Sequence, residues 1–352
     1  MDLENIRNKI DLIDAEILFG LRNRLELALL AGRLKGFVRD PERELQVLQN
    51  MKARADGFVD AGFVESLFET IIAESRRLQE QRLRLAGFQG EYGAFSEQAL
   101  RSYDPGVVPI PCPDFRGVFD GVEKGIFDLG IVPVENSLAG AVAEVSHILM
   151  RTDLRIVGET TLPVHHCLMT LPETDHREVK LVYSHPQALE QCRSFIQRNR
   201  LEPRPFYDTA GAAAWLVRER PRAAAVIAGR LAAELYPLEI LKENIEDFPA
   251  NFTRFVLIKA GPNGTKGNKY SVAFSLPHRA GSLQKVLGLF AAAGLNLTRI
   301  ASVPLPEQPG EYGFLLDFQG SDDDPGVRDV LENVEKETTR FRCLGCYKGA
   351  ET

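Results

Sequence analysis

The sequence has no long apolar run and no basic segment near its start. No apolar stretch approaches the roughly 20 residues that a membrane-spanning helix needs, so we expect no membrane span. The opening residues Met1-Asp2-Leu3-Glu4 carry no positive charge and lead into no apolar core, so we predict no export signal. These absences favour a cytoplasmic protein.

Cysteine is scarce, and positive charge is not in excess. The five cysteines are odd in number and scattered, which fits a reduced compartment better than a disulfide framework. Cys343 and Cys346 form a CxxC pair, but no second pair or nearby histidine accompanies them, so the pattern does not predict a metal site. The formal net charge of −7 argues against nucleic acid or an anionic membrane as a partner, because either favours a basic face.

Nucleotide-binding motifs are missing as well. Residues 261–267 are rich in glycine and include a lysine, yet they lack the spacing and the strand-to-helix context of a phosphate loop, so we interpret them as a linker. The length of 352 residues exceeds one ordinary core and predicts two or three domains. With 44% hydrophobic and 26% charged residues, the chain has the composition of a soluble globular protein.

A single long helix is predicted from residue 3 to about residue 35. Its apolar stripe recurs at steps of four and three residues and consists of Ile6, Ile10, Ile13, Ile17 and Leu21. The same stepping continues to Arg24 and Lys35, so two cations lie where a purely structural helix would place leucine. They are three turns apart, about 16 Å along the axis, and could converge on one small dianion. The alternative is that both extend to solvent.

Two further helices are predicted before residue 85. Asp40 at an N-cap and Pro41 at the first helical position mark the start of one. The other, at about 62–85, carries Ser75 and Gln79 one turn apart on the same face. A capping aspartate needs no other role, and polar pairs at this spacing usually face solvent, so these residues alone assign no function.

Eight polar residues of this region resemble the active-site set of the all-helical chorismate mutases, matched over residues 1–84. They are Arg7, Arg24, Lys35, Asp40, Arg43, Glu44, Ser75 and Gln79. The resemblance implies catalytic roles for Arg24, Lys35, Arg43, Glu44 and Gln79. It implies substrate binding by Arg7, Asp40 and Ser75.

The position of Arg7 bears on the number of subunits. Seventeen residues of helix separate it from Arg24, about 25 Å, which is farther than one small ligand reaches. Within the family the residue at this position acts on the partner's site, so the resemblance implies an intertwined, antiparallel dimer. Only residues 36–39 join Lys35 to Asp40, a shorter connection than the family usually has, so Arg39 is a candidate to share the role of Lys35.

Residues 85–262 predict an α/β domain, because short apolar strands alternate with alanine-rich helices. Polar clusters follow the predicted strands at residues 90–97, 135–137, 184–187 and 208–210. Each cluster would open a helix at the carboxyl end of a strand, where helix N-termini bind anions and a ligand occupies the crevice. Helix capping alone could explain any one of the clusters.

The stretch Asn251-Phe252-Thr253-Arg254-Phe255 sets a hydroxyl beside a guanidinium at the mouth of a predicted strand. A phenylalanine on either side of the pair would exclude water. This combination suits a small anion that must also receive a hydrogen bond. The ordinary alternative is a loop threonine bonded to its own backbone and a surface arginine in an ion pair.

Four motifs in order resemble prephenate dehydratase over residues 86–260: GAFSE at 93–97, VPVENS at 132–137, YSHPQALEQC at 183–192 and NFTRF at 251–255. The resemblance implies two α/β subdomains, arranged as in periplasmic binding proteins, with substrate in the cleft between them. It makes Thr253 the leading catalytic residue, as a positioned hydrogen-bond donor, with Glu135 as the alternative acid. The implied substrate-binding residues are Ser96, Asn136, Ser137, Ser184, Gln187, Thr209, Arg254 and Phe255. Many members of the family have serine where this chain has Asp208.

Residues 268–352 alternate as strand, helix, strand, strand, helix and strand, which is a ferredoxin-like order. Gly281-Ser282-Leu283 and residues 294–297 resemble an ACT domain, which implies that an amino acid binds at a subunit interface through Gly281, Leu283 and Asn296. The family's usual Glu-Ser-Arg-Pro is replaced by Ala301-Ser302-Val303-Pro304. Because two charged residues are missing, we expect weaker inhibition by phenylalanine than in relatives that keep the motif.

Together the resemblances imply a multidomain enzyme. An all-α chorismate mutase domain (1–84) would be followed by an α/β prephenate dehydratase domain (85–262) and an α+β ACT domain (268–352). The implied function is to rearrange chorismate to prephenate and convert prephenate to phenylpyruvate in phenylalanine biosynthesis. Phenylalanine would be the effector, a homodimer or higher homo-oligomer the assembly, and neither a cofactor nor a metal would be needed.

Two alternatives stay open at this point. The first is a dehydratase that acts mainly on arogenate and keeps a degenerate helical domain for dimerisation. The second is a non-catalytic ligand sensor built from a dimerising helix, a binding cleft and an ACT domain. Charges on the apolar stripe of the first helix argue against a mere dimerisation element, which would favour leucine there.

Overall fold

A computed structural model describes residues 3–261, 266–305 and 311–350. The chain forms two compact units, Met1–Arg84 and Leu85–Thr352. Residues 262–265, most of the interpreted linker, lie outside the described part. Within that part, no helix has the length and apolar character needed to cross a membrane.

The first unit consists of helices α1 (Leu3–Lys35), α2 (Pro41–Lys52) and α3 (Ala61–Glu80). Asp40 caps α2 by accepting a hydrogen bond from the Arg43 N–H at 3.2 Å, and Pro41 occupies the first turn, as the sequence predicts. Helix α3 ends five residues before the predicted limit of 85. The apolar residues beyond Glu80 that extended the helical pattern include Leu85, which begins a strand.

The N-terminal half of α1 exposes its apolar stripe in a single chain. Ile6, Ile10, Ile13 and Ile17 are between 41% and 56% exposed. In the described part of this unit, the only buried side chains are Leu29, Ile72 and Ser75. One copy of the unit therefore encloses a very small core, which is a weak basis for independent stability.

The second unit begins with a mixed sheet and its helices. In chain order these elements are β1 (Leu85–Gln89), α4 (Phe95–Tyr103), β2 (Val108–Cys112), α5 (Phe115–Glu123), β3 (Leu129–Asn136), β4 (Gly140–Ala141), α6 (Ala143–Leu149) and β5 (Arg155–Pro163). The chain then builds a second sheet before it returns to the first as a long strand. The return strand separates β3 from β5 and is antiparallel to both.

The second sheet and the return strand complete the α/β region. They comprise β6 (Cys167–Thr170), β7 (Leu181–Ser184), α7 (Pro186–Gln191), α8 (Arg193–Arg198), β8 (Glu202–Pro205), α9 (Thr209–Glu219), β9 (Ala224–Ala228), α10 (Arg230–Leu235), β10 (Glu239–Lys242) and β11 (Phe252–Lys259). The two segments that cross between the sheets are hydrogen-bonded to each other, with the Val164 N–H donating to the Asn251 carbonyl at 2.8 Å. Two lobes joined by paired crossings enclose a cleft.

Strand β3 is longer than the sequence suggested and contains a bulge. The sequence pattern ended it at Val134 and opened a helix at Glu135, but the strand runs through Asn136 and α6 begins only at Ala143. Antiparallel pairing with β11 extends it, since Asn136 lies opposite Thr253. Pro133 lies opposite Phe255 and Glu135 opposite Arg254, so Val134 is the extra residue of the bulge.

A third sheet follows from β12 (Lys269–Pro277), α11 (Ser282–Ala292), β13 (Leu297–Pro304), β14 (Glu311–Gln319), α12 (Pro325–Glu337) and β15 (Arg340–Tyr347). Its strand order is β13-β14-β12-β15, with antiparallel pairs throughout. The predicted ferredoxin-like order is confirmed. The helices cover one face of this sheet, where Phe274, Phe290 and Phe318 are fully buried. Strand β15 packs beside β5, which joins the third sheet to the first.

Candidate active sites

In the helical unit, polar residues of α1 and α3 meet. The Arg24 guanidinium donates to the Ser75 hydroxyl at 2.8 Å, and the Gln79 amide donates to the Ala28 carbonyl. A β-carbon at Gly32 would lie 3.0 Å from the Gln79 side chain, so the glycine makes room for that amide. Burial lowers the pKa of Arg24, because the guanidinium is partly removed from water.

The other cations and acids of this set lie nearer the surface. Lys35 is paired with Asp40 at 2.7 Å and its side chain is 37% exposed, so it does not share a buried stripe with Arg24. Helix α1 ends at Lys35 because Gly36 takes a positive φ of 73° and turns the chain. Glu44 accepts from Arg76 at 3.3 Å.

Two more residues of the set point outward. Arg43 donates to Gln46. Arg7 is exposed in the N-terminal part of α1. A single chain therefore brings together Arg24, Ser75 and Gln79, and separately Lys35 and Asp40, but leaves Arg7 apart.

In the second unit, a cleft of about 450 Å³ lies between the first and second sheets. The first-sheet side contributes Ser96, Asn136, Thr253 and Phe255, and the second-sheet side contributes Gln187, His185, Asp208 and Thr209. Phe95 and Phe115 supply apolar surface. Six of the substrate-binding or catalytic residues expected from the sequence thus line one cavity.

Thr253 has a defined hydrogen-bond environment. The Asn136 amide Nδ2 donates to the Thr253 hydroxyl at 3.0 Å and to the Asn251 side-chain oxygen at 2.9 Å. The Asn136 Oδ1 accepts the N–H groups of Leu138 and Ala139 at 3.1 and 2.9 Å, which fixes the orientation of the amide. Because Thr253 Oγ accepts from Asn136, its own hydrogen remains to be donated to another group.

Arg254 does not reach the cleft. Successive side chains of a strand point to opposite faces, so Arg254 lies behind the face that carries Thr253. Its guanidinium is buried and donates to Glu159 and to Asp317, each at 2.6 Å. The expectation that Arg254 binds a substrate carboxylate does not hold in this structure.

Glu135 also lies behind the cleft. It is opposite Arg254 in the β3 and β11 register, and its carboxylate is 3.7 Å from the Arg299 guanidinium of β13. Because of the bulge at Val134, the Glu135 side chain points away from the side of β3 on which Asn136 and Pro133 line the cleft. Glu135 is therefore not placed to protonate a ligand in this cavity.

Two predicted serines have structural partners instead of a cleft position. The Ser184 hydroxyl is fully buried and donates to the Ile227 carbonyl. The Ser137 hydroxyl donates to the Ala250 carbonyl at 3.3 Å and accepts the Phe252 N–H at 3.0 Å. Both hydroxyls stabilise segments that border the cleft, and neither serine lines it.

Asp208 is a cleft residue that sequence reasoning noted only as a helix cap. Its carboxylate accepts the Gly211 N–H at 2.7 Å at the start of α9. Burial raises the pKa of Asp208, the nearby Glu91 adds to this, and the backbone N–H groups oppose it. Neither lysine nor arginine occurs among the described residues that line the cleft. In the sequence, the replacement of the family's serine by aspartate at position 208 was the indication that this residue does more than cap a helix.

The residues expected to bind an effector lie at opposite ends of the third sheet. Gly281 and Leu283 follow the end of β12, which pairs with the start of β14. Asn296 precedes β13 at the other end, where β14 finishes. Gly281 precedes α11 with a positive φ of 84°, and Leu283 packs against the core of that sheet. The Asn296 amide donates to the Gln319 side chain at 3.1 Å. In β13, Ala301 is half-buried and Val303 is buried, and neither aliphatic side chain carries a charge.

Comparison with known proteins matches each region to a family. The family model described as chorismate mutase type II matches residues 6–80, that of prephenate dehydratase matches 86–263, and the ACT domain matches 270–336. A bifunctional chorismate mutase/prephenate dehydratase of Neisseria gonorrhoeae is 33% identical over 350 residues, which cover 98% of this chain and 96% of the relative. The chain belongs to the bifunctional chorismate mutase/prephenate dehydratase family. This confirms the predicted fold class and both predicted activities.

Two further relatives cover the dehydratase and ACT regions. Arogenate dehydratase/prephenate dehydratase 2 of Arabidopsis thaliana is 36% identical over 278 residues, covering 76% of this chain and 73% of the relative. The solved structure of prephenate dehydratase from Arthrobacter aurescens in complex with L-Phe is 31% identical with a TM-score of 0.69, and covers 75% of this chain and 89% of that one. The likeness extends through the cleft and the third sheet.

Proposed function

We propose that Thr253 donates the hydrogen bond that assists departure of the ring hydroxyl from prephenate. In this reaction the bond to the ring carboxylate breaks, its electron pair enters the ring, and the opposite carbon–oxygen bond breaks to release hydroxide. Carbon dioxide and phenylpyruvate are the other products, and aromatisation supplies the driving force. The observation that carries the proposal is the Asn136 amide held 3.0 Å from Thr253 Oγ, which directs the hydroxyl hydrogen away from Asn136.

The carboxylates of prephenate need partners in a cleft whose described lining residues include no lysine or arginine. Ser96 is the second residue of α4 and Thr209 the first residue of α9, and both line the cavity. Helix N-termini present free N–H groups and a partial positive charge to anions. We infer that these two helix ends, with the Gln187 side chain, bind the carboxylates, while Phe255 supplies an apolar wall.

Thr253→Val tests the donor role, since it keeps the shape of the side chain and deletes the hydroxyl. We expect dehydratase turnover to fall about 10²–10³-fold, the loss typical of one transition-state donor. Prephenate should then accumulate when the enzyme is supplied with chorismate, while the mutase rate stays normal. Thr253→Ser, which restores a hydroxyl, is the matched control and should recover much of the turnover. Near-normal dehydratase activity in Thr253→Val would refute the proposal.

For the mutase, we propose that Arg24, Lys35, Arg43 and Gln79 hold chorismate in its folded conformer. Glu44 is the fifth residue of the proposed catalytic set. Asp40 and Ser75 orient Lys35 and Arg24 through the contacts at 2.7 and 2.8 Å. The rearrangement is pericyclic, so it needs no acid or base. Positioning the two carboxylates and stabilising charge on the ether oxygen supply the acceleration.

We infer that two copies share each mutase site. The exposed stripe of α1 is contiguous, and exposed apolar patches of this kind mark interaction surfaces. A second, antiparallel α1 would cover the stripe and bring Arg7 to a site that its own chain leaves without it.

Mixed dimers test this sharing. Arg7→Ala and Arg24→Ala homodimers should each lose mutase activity, because every site in them lacks one cation. A heterodimer of the two variants has one site with both arginines and should recover up to half of the wild-type rate. Mutase assays before and after subunit exchange, with exchange followed by differently tagged chains, measure the recovery. No recovery after complete exchange would contradict shared sites.

Arogenate is a second candidate substrate, favoured by Asp208. Arogenate carries an ammonium group where prephenate has a ketone, so a carboxylate in the cleft would attract it. Among the described residues of the lining, no lysine or arginine pairs with Asp208, and the Arabidopsis relative is named for both substrates. We infer that the cleft accepts arogenate as well as prephenate.

Asp208→Ser tests this second substrate, because serine still caps α9 but carries no charge. We expect kcat/KM for arogenate to fall relative to that for prephenate by about tenfold or more, since a hydrogen bond to a charged group contributes roughly 1.5–3 kcal/mol. Asp114→Ser is the control: Asp114 also caps a helix through a glycine N–H at 2.7 Å, but it does not line the cleft. An unchanged substrate ratio in Asp208→Ser would rule out this role.

We further propose that phenylalanine binds the ACT domain at a subunit interface, through Gly281, Leu283 and Asn296, and restrains the dehydratase. Ala301 and Val303 remove two charges that relatives use, so inhibition should need more phenylalanine.

The domain limits 1–84, 85–262 and 268–352 remain our proposal for the boundaries. We also propose a cytoplasmic location, which accords with the odd number and scattered spacing of the five cysteines.

A further inference from the structure

A buried ionic cluster lies behind the strand that carries Thr253. Arg254 of β11 is 11% exposed in its side chain and donates to Glu159 of β5 and to Asp317 of β14, each at 2.6 Å. It also donates to the Tyr347 hydroxyl of β15 at 3.0 Å. Burial tends to lower the pKa of Arg254, but Asp317, Tyr347 and Glu159 outweigh this and raise it. The guanidinium is thus held by groups from the ACT domain as well as from its own sheet.

Both carboxylates of the cluster have further donors. Glu159 accepts from the Lys269 ammonium at 2.8 Å and from the Ala350 N–H at 2.8 Å. Asp317 accepts from the Ser271 hydroxyl at 2.6 Å. Side chains of both acids are under 5% exposed. Satisfied in this way, a buried ion pair is fixed in one geometry, and loss of one partner leaves an uncompensated charge.

A second contact reaches the neighbouring catalytic strand. Arg299 of β13 is 7% exposed in its side chain, and its guanidinium lies 3.9 Å from Asp317 and 3.7 Å from Glu135. It also donates to the Val134 carbonyl at 3.3 Å. Val134 is the extra residue of the β3 bulge, two positions before Asn136. The ACT domain therefore contacts β11 directly behind Thr253 and β3 directly before Asn136.

These contacts are more specific than domain docking requires. Apolar side chains would attach the third sheet to the first without desolvating four or more charges. An ionic cluster instead fixes directions, because each guanidinium contact depends on the angle of approach as well as the distance. Thr253 and Arg254 are adjacent, so the backbone that orients one side chain also orients the other.

We propose that Arg254, Asp317 and Arg299 are positioning residues for prephenate dehydration. Through Asp317 and Arg299, the ACT domain holds β11 and β3 in the geometry that sets the Thr253 hydroxyl against the Asn136 amide and into the cleft. This inference rests on the proposed donor role of Thr253. None of the three residues touches the cleft, so each acts through the strand that it holds.

The test begins with Asp317→Asn in the full chain, which keeps the size of the side chain and removes its charge. We expect kcat for dehydration to fall about 10- to 100-fold, because small misplacements of a catalytic group cost up to about two orders of magnitude. KM should change little, since the cleft wall is intact. The mutase rate should be normal and serves as an internal measure of active enzyme.

A control and a second variant separate positioning from general damage. Asp322→Asn removes another ACT-domain acid, one that accepts from the Tyr270 hydroxyl and touches neither β11 nor β3, and should leave dehydration near wild type. Arg299→Gln removes the contact to Val134 without leaving Asp317 unpaired, and should lower kcat as Asp317→Asn does. If Asp317→Asn fails to fold, Arg299→Gln decides the question alone. Equal losses in Asp322→Asn would overturn the inference.

Combination with Thr253→Val identifies the group through which the positioning residues act. If Asp317 and Arg299 work by orienting the Thr253 hydroxyl, their loss should have little further effect once that hydroxyl is absent. Multiplying losses in Asp317→Asn/Thr253→Val, or wild-type kcat in both Asp317→Asn and Arg299→Gln beside an inactive Thr253→Val, would overturn the inference. Full activity in Thr253→Val would instead refute the donor proposal on which it rests.

Discussion

The ion pairs of Arg254 with Glu159 and Asp317 join the strand that carries Thr253 to the ACT domain. Three strands from two sheets converge on this guanidinium, and all of the charges involved are nearly removed from water. Under such burial the pairs are costly to break, so the strand and the ACT domain are expected to move as one body. A displacement of β13, which begins one residue after Asn296, would reach the cleft through Arg299 and Val134. Effector binding and dehydration then have a short physical connection.

The helical unit is organised on a different principle. Its polar site is preassembled in part, with Arg24 bonded to Ser75 and Lys35 to Asp40, yet its apolar surface is left uncovered along half of α1. In our proposal, the same helix serves catalysis near its centre and association near its start. This division explains why one chain holds most of a mutase site and encloses so little core.

Local signals in the sequence were sufficient to locate the helices and strands. Periodicity and the Asp40-Pro41 cap located α1 and the start of α2, and the order of the ACT domain followed from alternating patterns. Boundaries failed where distant pairing decided them: α3 ended early at Glu80, and β3 lengthened because β11 pairs with it. Alternation along a strand already meant that Thr253 and Arg254 cannot share a face.

The sequence alone did not show which face of each strand points into the cleft. Arg254 faces away from the cleft and bonds to Asp317, which is 63 residues away along the chain. The bulge that turns Glu135 from the cleft and Asn136 toward it likewise depends on the register with β11. Asp208 was visible as a departure from the family, but its position opposite Thr253 required the packing of the second lobe.

A crystal structure of the full-chain Thr253→Val enzyme with bound prephenate tests most directly whether position 253 faces the substrate while Arg254 faces the ACT domain. We expect the ring hydroxyl of prephenate to face position 253 beside the Asn136 amide, with the carboxylates at the starts of α4 and α9. Arg254 should keep its bonds to Glu159 and Asp317. A guanidinium of Arg254 turned into the cleft against a substrate carboxylate, or the ring hydroxyl bound to Glu135, would contradict this arrangement.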